Sequence, residues 1–174
     1  MAVRKLPRHH RWTWSVPGII VVGLLAAFFN PPDQAITQGD FDVVERVVDG
    51  DTLLLQSGER VRLIGVDTPE IKHPKKPVEY FGKEASDFTR RMVERKRVRL
   101  EFDQANAARG HKDRYGRTLA YVFLEDGTLL NAKIIKQGYG HAYTQFPFSR
   151  MEEFRRLERE AREEQRGLWQ QNYA

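Results

Sequence analysis

At 174 residues the chain has room for one domain of roughly 150 residues plus an extension, which excludes a large multidomain enzyme. Its 29 Lys and Arg outnumber 24 Asp and Glu, for a net charge of +5 and a pI of about 9.6, which favours an anionic partner without naming it. A 40% apolar share is enough for a core, and the absence of cysteine excludes disulfides, thiol catalysis and Cys-ligated zinc or iron–sulfur sites.

The N-terminus is organised as a separate unit. Residues 1–11 form a basic tail with Arg4, Lys5, Arg8 and Arg11, followed by an uncharged run of 18 residues from Trp12 to Phe29. At about 1.5 Å per residue, a helix of that length nearly spans a hydrocarbon core of roughly 30 Å. No Lys or Arg occurs from Asn30 to Glu45, so the basic side stays cytoplasmic and the rest of the chain is expected outside. A membrane anchor at 12–29 is the expectation, and a cleaved signal peptide is the alternative. Leu25-Ala26-Ala27 before two phenylalanines is a poor cleavage site. Residues 30–40, with two prolines and a glycine, act as a tether. Residues 41–174 are then read as one domain, which carries 25 basic and 22 acidic residues once the first 40 are set aside.

Within that domain, Val43 to Val48, Leu53 to Leu55 and Val61 to Val66 are short β-rich runs separated by Asp49-Gly50-Asp51 and Ser57-Gly58-Glu59, a pattern that predicts a meander. Phe81, Ala85, Phe88 and Met92 fall at helical spacing and predict a helix over 78–95. Strands are expected at 98–102 and 119–123, the second ending in the turn Glu125-Asp126-Gly127. A short helix follows near 131–137, stopped by Gly138. A longer one over 150–166 buries Met151, Phe154, Leu157 and Ala161. Its start carries Ser149 and Glu152 in capping-box spacing, and Gly167 provides its stop. Five strands and three helices predict an α+β fold with a mainly β core, a small barrel of the OB type with helical additions.

The chemistry concentrates in Asp49-Gly50-Asp51-Thr52 and in the stretch from Arg62 to Glu70. A hairpin centred near Glu59 would set Asp51 opposite Asp67, and two opposed carboxylates are stable only around a cation, with hard ions such as Ca²⁺ or Mg²⁺ favoured. Each Asp taken alone is as well explained as a turn former. Glu70, beyond Pro69, is placed to orient or deprotonate a water, and a surface glutamate beside a helix is the plainer account of it. Arg62 and Arg117 are candidate phosphate ligands because guanidinium binds oxyanions bidentately and stays charged. Strand alternation sets Arg62 and Asp67 on opposite faces, so their convergence requires a twist or bulge near Gly65.

From about Val44 to Trp169 the chain resembles the staphylococcal nuclease (thermonuclease) family. The resemblance is carried by Val48-Asp49-Gly50-Asp51-Thr52, Arg62 through Glu70, Lys72-His73-Pro74-Lys75-Lys76, Gly82-Lys83-Glu84-Ala85-Ser86, Asp113 to Tyr121, Gln137-Gly138 and Gly167-Leu168-Trp169. It implies an OB-fold, Ca²⁺-dependent phosphodiesterase acting on DNA and RNA. By the same resemblance, Asp51, Asp67 and the backbone carbonyl of Thr68 hold calcium, Glu70 is the general base, and Arg62 and Arg117 bind the scissile phosphate. Arg114 and Tyr115 match positions that hold a terminal phosphate of a bound nucleotide. Tyr143 stands one residue out of step with the family's base-stacking tyrosine. Pro77 replaces a loop glycine, and Phe146 replaces a second tyrosine.

The expected activity is therefore hydrolysis of a phosphodiester, in which the negative charge added at the transition state meets a dication and two arginines. Single-stranded substrate is the expected preference. A noncatalytic OB-fold binder of single strands is the alternative, and it has no need of all five chemical side chains. A membrane-tethered interaction module would leave them all idle.

Overall fold

The computed structural model describes residues 39–71 and 77–170. The tail, anchor and most of the tether proposed at 1–38 lie outside the described residues. Among those that are described, no helix is long and apolar enough to cross a membrane.

Alternating β-branched and leucine residues build five strands that close into a barrel in the order β1-β2-β3-β6-β5. These are β1 (Phe41–Asp49), β2 (Thr52–Leu55), β3 (Arg60–Leu63), β5 (Arg97–Glu101) and β6 (Thr118–Leu124). A two-stranded ribbon pairs β4 (Val66–Asp67) with β7 (His141–Ala142). Closure follows from one parallel pairing, β3 with β6, among antiparallel ones. Val44, Leu53, Leu55, Val61, Val98, Leu100 and Val122 are fully buried inside, each stabilising the fold by about 1.5–3 kcal/mol. The α+β, five-stranded barrel expected for an OB-type fold is what forms.

Three helices cover the barrel: α1 (Gly82–Val93), α2 (Leu130–Lys136) and α3 (Met151–Glu163). Helix α1 starts four residues later than its apolar pattern suggests. Residues 79–82 are tied elsewhere: the Glu79 amide donates to the Glu70 carbonyl at 3.0 Å, and the Glu79 carboxylate accepts from the Glu70 amide at 3.0 Å. Phe81 then sits at φ 65, and the helix buries Ala85, Ser86, Thr89 and Val93, with Phe88 and Met92 half-buried at the edge of that face. Gly82 is required where it stands, because a Cβ there would lie 2.9 Å from the Ile71 side chain and 3.1 Å from the Pro69 carbonyl. The loop carrying Glu70 is thereby pressed against the start of α1.

The capping box expected at α3 is not formed. Ser149 donates both its amide and its hydroxyl to Asp103 at 2.7 Å, and Arg150, at the cap position, makes no side-chain capping bond to the helix amides. Glu152 and Glu153 in the first turn supply the negative charge that the helix start favours. Phe154, Leu157 and Ala161 are buried as their spacing predicts. The stop of α3 also differs. The helix ends at Glu163 with Gln165 at φ 53, and Gly167 instead lets the chain pass against Gly138, where a Cβ would fall 2.3 Å from the Gly138 carbonyl oxygen.

Candidate active site

The two acidic stretches meet at one end of the barrel, by a route that differs from the expected hairpin. The β2–β3 register pairs Thr52 with Arg62 and Leu54 with Arg60, which centres the turn at Ser57, two residues before Glu59. Asp51 consequently faces Leu63 rather than Asp67, its carbonyl accepting from the Leu63 amide at 3.0 Å. What brings Asp67 back is a turn at Ile64-Gly65, with Gly65 at φ 69, the distortion that strand alternation demanded. Buried Asn131 of α2 holds that turn: its Nδ2 donates to the Ile64 carbonyl at 2.9 Å, while its Oδ1 accepts from the Val122 amide at 2.9 Å. No residue of the site itself signals Asn131 in the sequence.

Beyond the turn, β4 carries Asp67 and delivers Thr68 onto Asp51. The buried Asp51 carboxylate accepts from the Thr68 amide at 3.1 Å, from the Thr68 hydroxyl at 3.3 Å and from the Thr52 hydroxyl at 3.0 Å. Arg62 bridges the two aspartates, with Nη2 at 3.1 Å from Asp51 and 3.3 Å from Asp67, and its Nη1 donates to the Val66 carbonyl at 2.6 Å. This arrangement depends on Gly50, since a Cβ there would lie 2.5 Å from Thr68 Oγ1. The Gly50 carbonyl in turn accepts from the buried Thr89 hydroxyl of α1 at 2.7 Å.

Arg117, just before β6, approaches from the other side. Its Nε donates to Asp113 at 2.7 Å, and Nη1 makes only a long 3.4 Å contact to the Thr52 hydroxyl. Asp113 also accepts from the Tyr115 and Arg117 amides, which together fix the 113–117 turn. Burial raises the Asp113 carboxyl, but these bonds outweigh it and hold the group below the usual carboxylate range. Arg114 lies over the exposed Tyr115 ring, 4.8 Å from its centroid. Tyr143 follows β7, with its amide bonded to the Gly65 carbonyl at 3.0 Å and its hydroxyl donating to Gln145.

Arg62, Asp67, Arg114, Tyr115, Arg117 and Tyr143 all line one cavity of about 650 Å³. That volume falls within the roughly 300–1,000 Å³ typical of ligand pockets. Asp51 and Thr68 lie behind it, in bonding contact with Arg62 or with each other.

Asp49 is the member that sequence reasoning left in the turn. Its carboxyl is pushed up to about 7 by burial, by a hydrogen bond shared with the Glu70 side chain and by the negative charge of Asp51. Asp67 is likewise raised, first by burial and then by Asp51, with Arg62 opposing. Excess negative charge has therefore collected in a half-buried place, and a dication would relieve it. The Asp51 and Asp67 carboxylates, both within 3.3 Å of Arg62, offer hard oxygens of the kind that Ca²⁺ requires. Among the described residues no three acidic or histidine side chains form a ready cage, so water would fill the remaining positions.

A closed five-stranded barrel covered by helices, with carboxylates and two arginines gathered at one end, has the architecture of an OB-type domain. Comparison with known families matches residues 60–171 to the staphylococcal nuclease homologues, and the chain belongs to that family. It is 42% identical over 161 residues to a thermonuclease of Staphylococcus intermedius, covering 87% of this chain and 92% of the relative. It is 41% identical over 130 residues to a thermonuclease of Staphylococcus hyicus, covering 72% and 73% of the two chains.

Proposed function

We propose that the protein is a Ca²⁺-dependent nuclease that hydrolyses phosphodiester bonds of DNA and RNA, with a preference for single strands. The observation that carries this reading is the junction of Asp51, Arg62, Asp67 and Thr68, linked through Thr52 to Arg117. The thermonuclease names of its relatives support the same reading.

Asp51, Asp67 and the Thr68 carbonyl would hold Ca²⁺. Bound there, the ion supplies positive charge and eases the ionisation of a nearby water. Glu70 accepts the proton of the attacking water. Its neighbour Asp49 shares a hydrogen bond with it and thereby helps to set its orientation. Arg62 and Arg117 bind the phosphate oxygens. Asp113 holds Arg117 by Nε, which leaves its Nη groups with one long hydrogen bond to Thr52, beside the Tyr115 ring, and able to tighten on an oxyanion as charge develops. The phosphate bond to the leaving oxygen breaks as the water oxygen bonds to phosphorus. Arg114, Tyr115 and Tyr143 then hold the neighbouring nucleotide.

The run at 12–29 is proposed to anchor this domain on the outer side of the membrane, and protease added to intact spheroplasts should remove it. Protection until lysis would refute that orientation. The nuclease reading is tested by digestion of labelled single-stranded DNA. Cleavage should stop with a chelator and return with calcium, whereas undiminished cleavage by metal-free protein would overturn the mechanism. Strand binding without cleavage under all metal conditions would instead establish the noncatalytic binder.

A further inference from the structure

The cavity extends past the residues already assigned. Its far wall is a 3-10 helix, Gln104–Arg109, from which Asn106 and Arg109 line the same space as Arg62 and Arg117. Arg109 is exposed, and among the described residues it makes no ion pair or side-chain hydrogen bond. Of the other arginines in the cavity, Arg62 is committed to two aspartates and Arg117 to Asp113, while Arg114 lies over the Tyr115 ring.

The segment bearing Arg109 is built to stay in place. At its start, buried Asp103 accepts from the Ala105 amide at 2.9 Å, from the Tyr121 hydroxyl of the barrel and from both donors of Ser149. One carboxylate thus fixes the 3-10 helix and, through Ser149, the end of the 145–148 stretch that forms the adjoining wall of the cavity. At its end, Lys112 donates to Glu59 and, at 2.7 Å, to the Thr118 hydroxyl, and the His111 ring stacks on Phe102 with centroids 4.8 Å apart. On a segment anchored at both ends the backbone is already placed, so only the side chain of Arg109 has to be ordered on meeting a ligand.

Four arginines line the cavity against two aspartates, Asp67 and Asp113. A single scissile phosphate engages two of the four, and a terminal phosphate accounts for Arg114. Arg109 is left facing the same space with its charge uncompensated. We propose that Arg109 is a substrate-binding residue that holds an additional backbone phosphate of a single-stranded polynucleotide, on the side of the cavity formed by the 104–109 helix. The proposal deepens the nuclease reading and rests on it. It makes the strand contact longer than the nucleotide at the point of cleavage.

The test measures binding and cleavage of a single-stranded oligodeoxynucleotide by the full chain across a range of salt concentrations. Wild type is compared with Arg109→Ala, Arg109→Lys and Arg159→Ala. Arg159 is likewise an exposed arginine, on α3, that makes no ion pair among the described residues and does not line the cavity. One lost phosphate contact should make the slope of log affinity against log salt shallower by about 0.7. Arg109→Ala should show that change with KM raised severalfold and kcat retained, and Arg109→Lys should restore the slope. A mononucleotide diester, which has no further phosphate, should be cleaved equally by both alanine variants.

A slope for Arg109→Ala equal to that of Arg159→Ala would overturn the proposal. Equal weakening towards the mononucleotide diester would also overturn it, since the defect would then lie at the reacting centre. If the wild-type chain binds the strand in calcium but never cuts it, the nuclease reading fails, while the slope comparison still decides the role of Arg109.

Discussion

Gly50→Ala tests whether the site is assembled by close packing, because it alters no residue to which a chemical role is given. The new Cβ would fall 2.5 Å from Thr68 Oγ1, 2.8 Å from its Cβ and 3.0 Å from its Cγ2, so Thr68 must move. Gly50 has no positive φ, so the substitution carries no left-handed backbone penalty and the clash is the destabilising part of its effect. Overpacking of this kind costs about 1–3 kcal/mol. At a urea m-value of about 2 kcal/mol/M, that loss corresponds to a midpoint shift of about 0.5–1.5 M, read by far-ultraviolet circular dichroism.

Displacing Thr68 also withdraws two hydrogen bonds from Asp51, so calcium affinity and turnover should fall together. The control is Thr68→Gly, which removes the three atoms nearest the new methyl. In that background Gly50→Ala should cost nearly nothing, giving a coupling of about 1–3 kcal/mol in the double-mutant cycle. Additive losses, or a Gly50→Ala protein with normal midpoint and turnover, would refute the packing argument.

Glu70→Gln keeps the shape of the side chain but cannot take a proton, so turnover should fall by about 10² or more with little change in strand affinity; an unchanged turnover number removes Glu70 from that role. Arg117→Lys keeps one charge and loses both the planar fork and the Nε bond to Asp113, and turnover at saturating single-stranded DNA should fall about 10²–10³-fold. Arg159→Lys, with folding of both checked by circular dichroism, should remain near wild type, and equal rates would make Arg117 a surface charge. Asp103 supplies a pH dependence of stability. Burial raises its carboxyl, but the hydroxyls of Tyr121 and Ser149 and the amides of Ser149 and Ala105 together hold it below its unfolded value of about 3.9. Its contribution is present above that unfolded value and is lost as pH falls through the lower folded value. Asp103→Asn should cost about 3 kcal/mol at pH 7 and remove part of the stability loss below pH 4, both read from urea unfolding. Parallel pH curves for variant and wild type would contradict this.

Local chemistry carried much of the fold into view. The β-rich runs, the turns at 49–51, 57–59 and 125–127, the buried stripe of α3 and the need for a bend at Gly65 all follow from side-chain period and turn residues acting over a few positions. The types and order of the candidate site residues were legible for the same reason, since Asp51, Arg62, Asp67, Glu70 and Arg117 stand in two short acidic stretches and one basic turn. Tertiary structure alone decided how they meet. Asn131 holds the Ile64 carbonyl from 67 positions away, and Asp103 takes the Ser149 hydroxyl from the helix cap 46 positions away. Asp49 shares its hydrogen bond with Glu70 only because Gly50 and Gly82 let three segments pack without side chains between them. Each of these depends on groups that are far apart along the chain and share one buried space, where an unsatisfied polar group is costly and the nearest available partner wins. Periodicity over neighbouring residues carries no information about that competition.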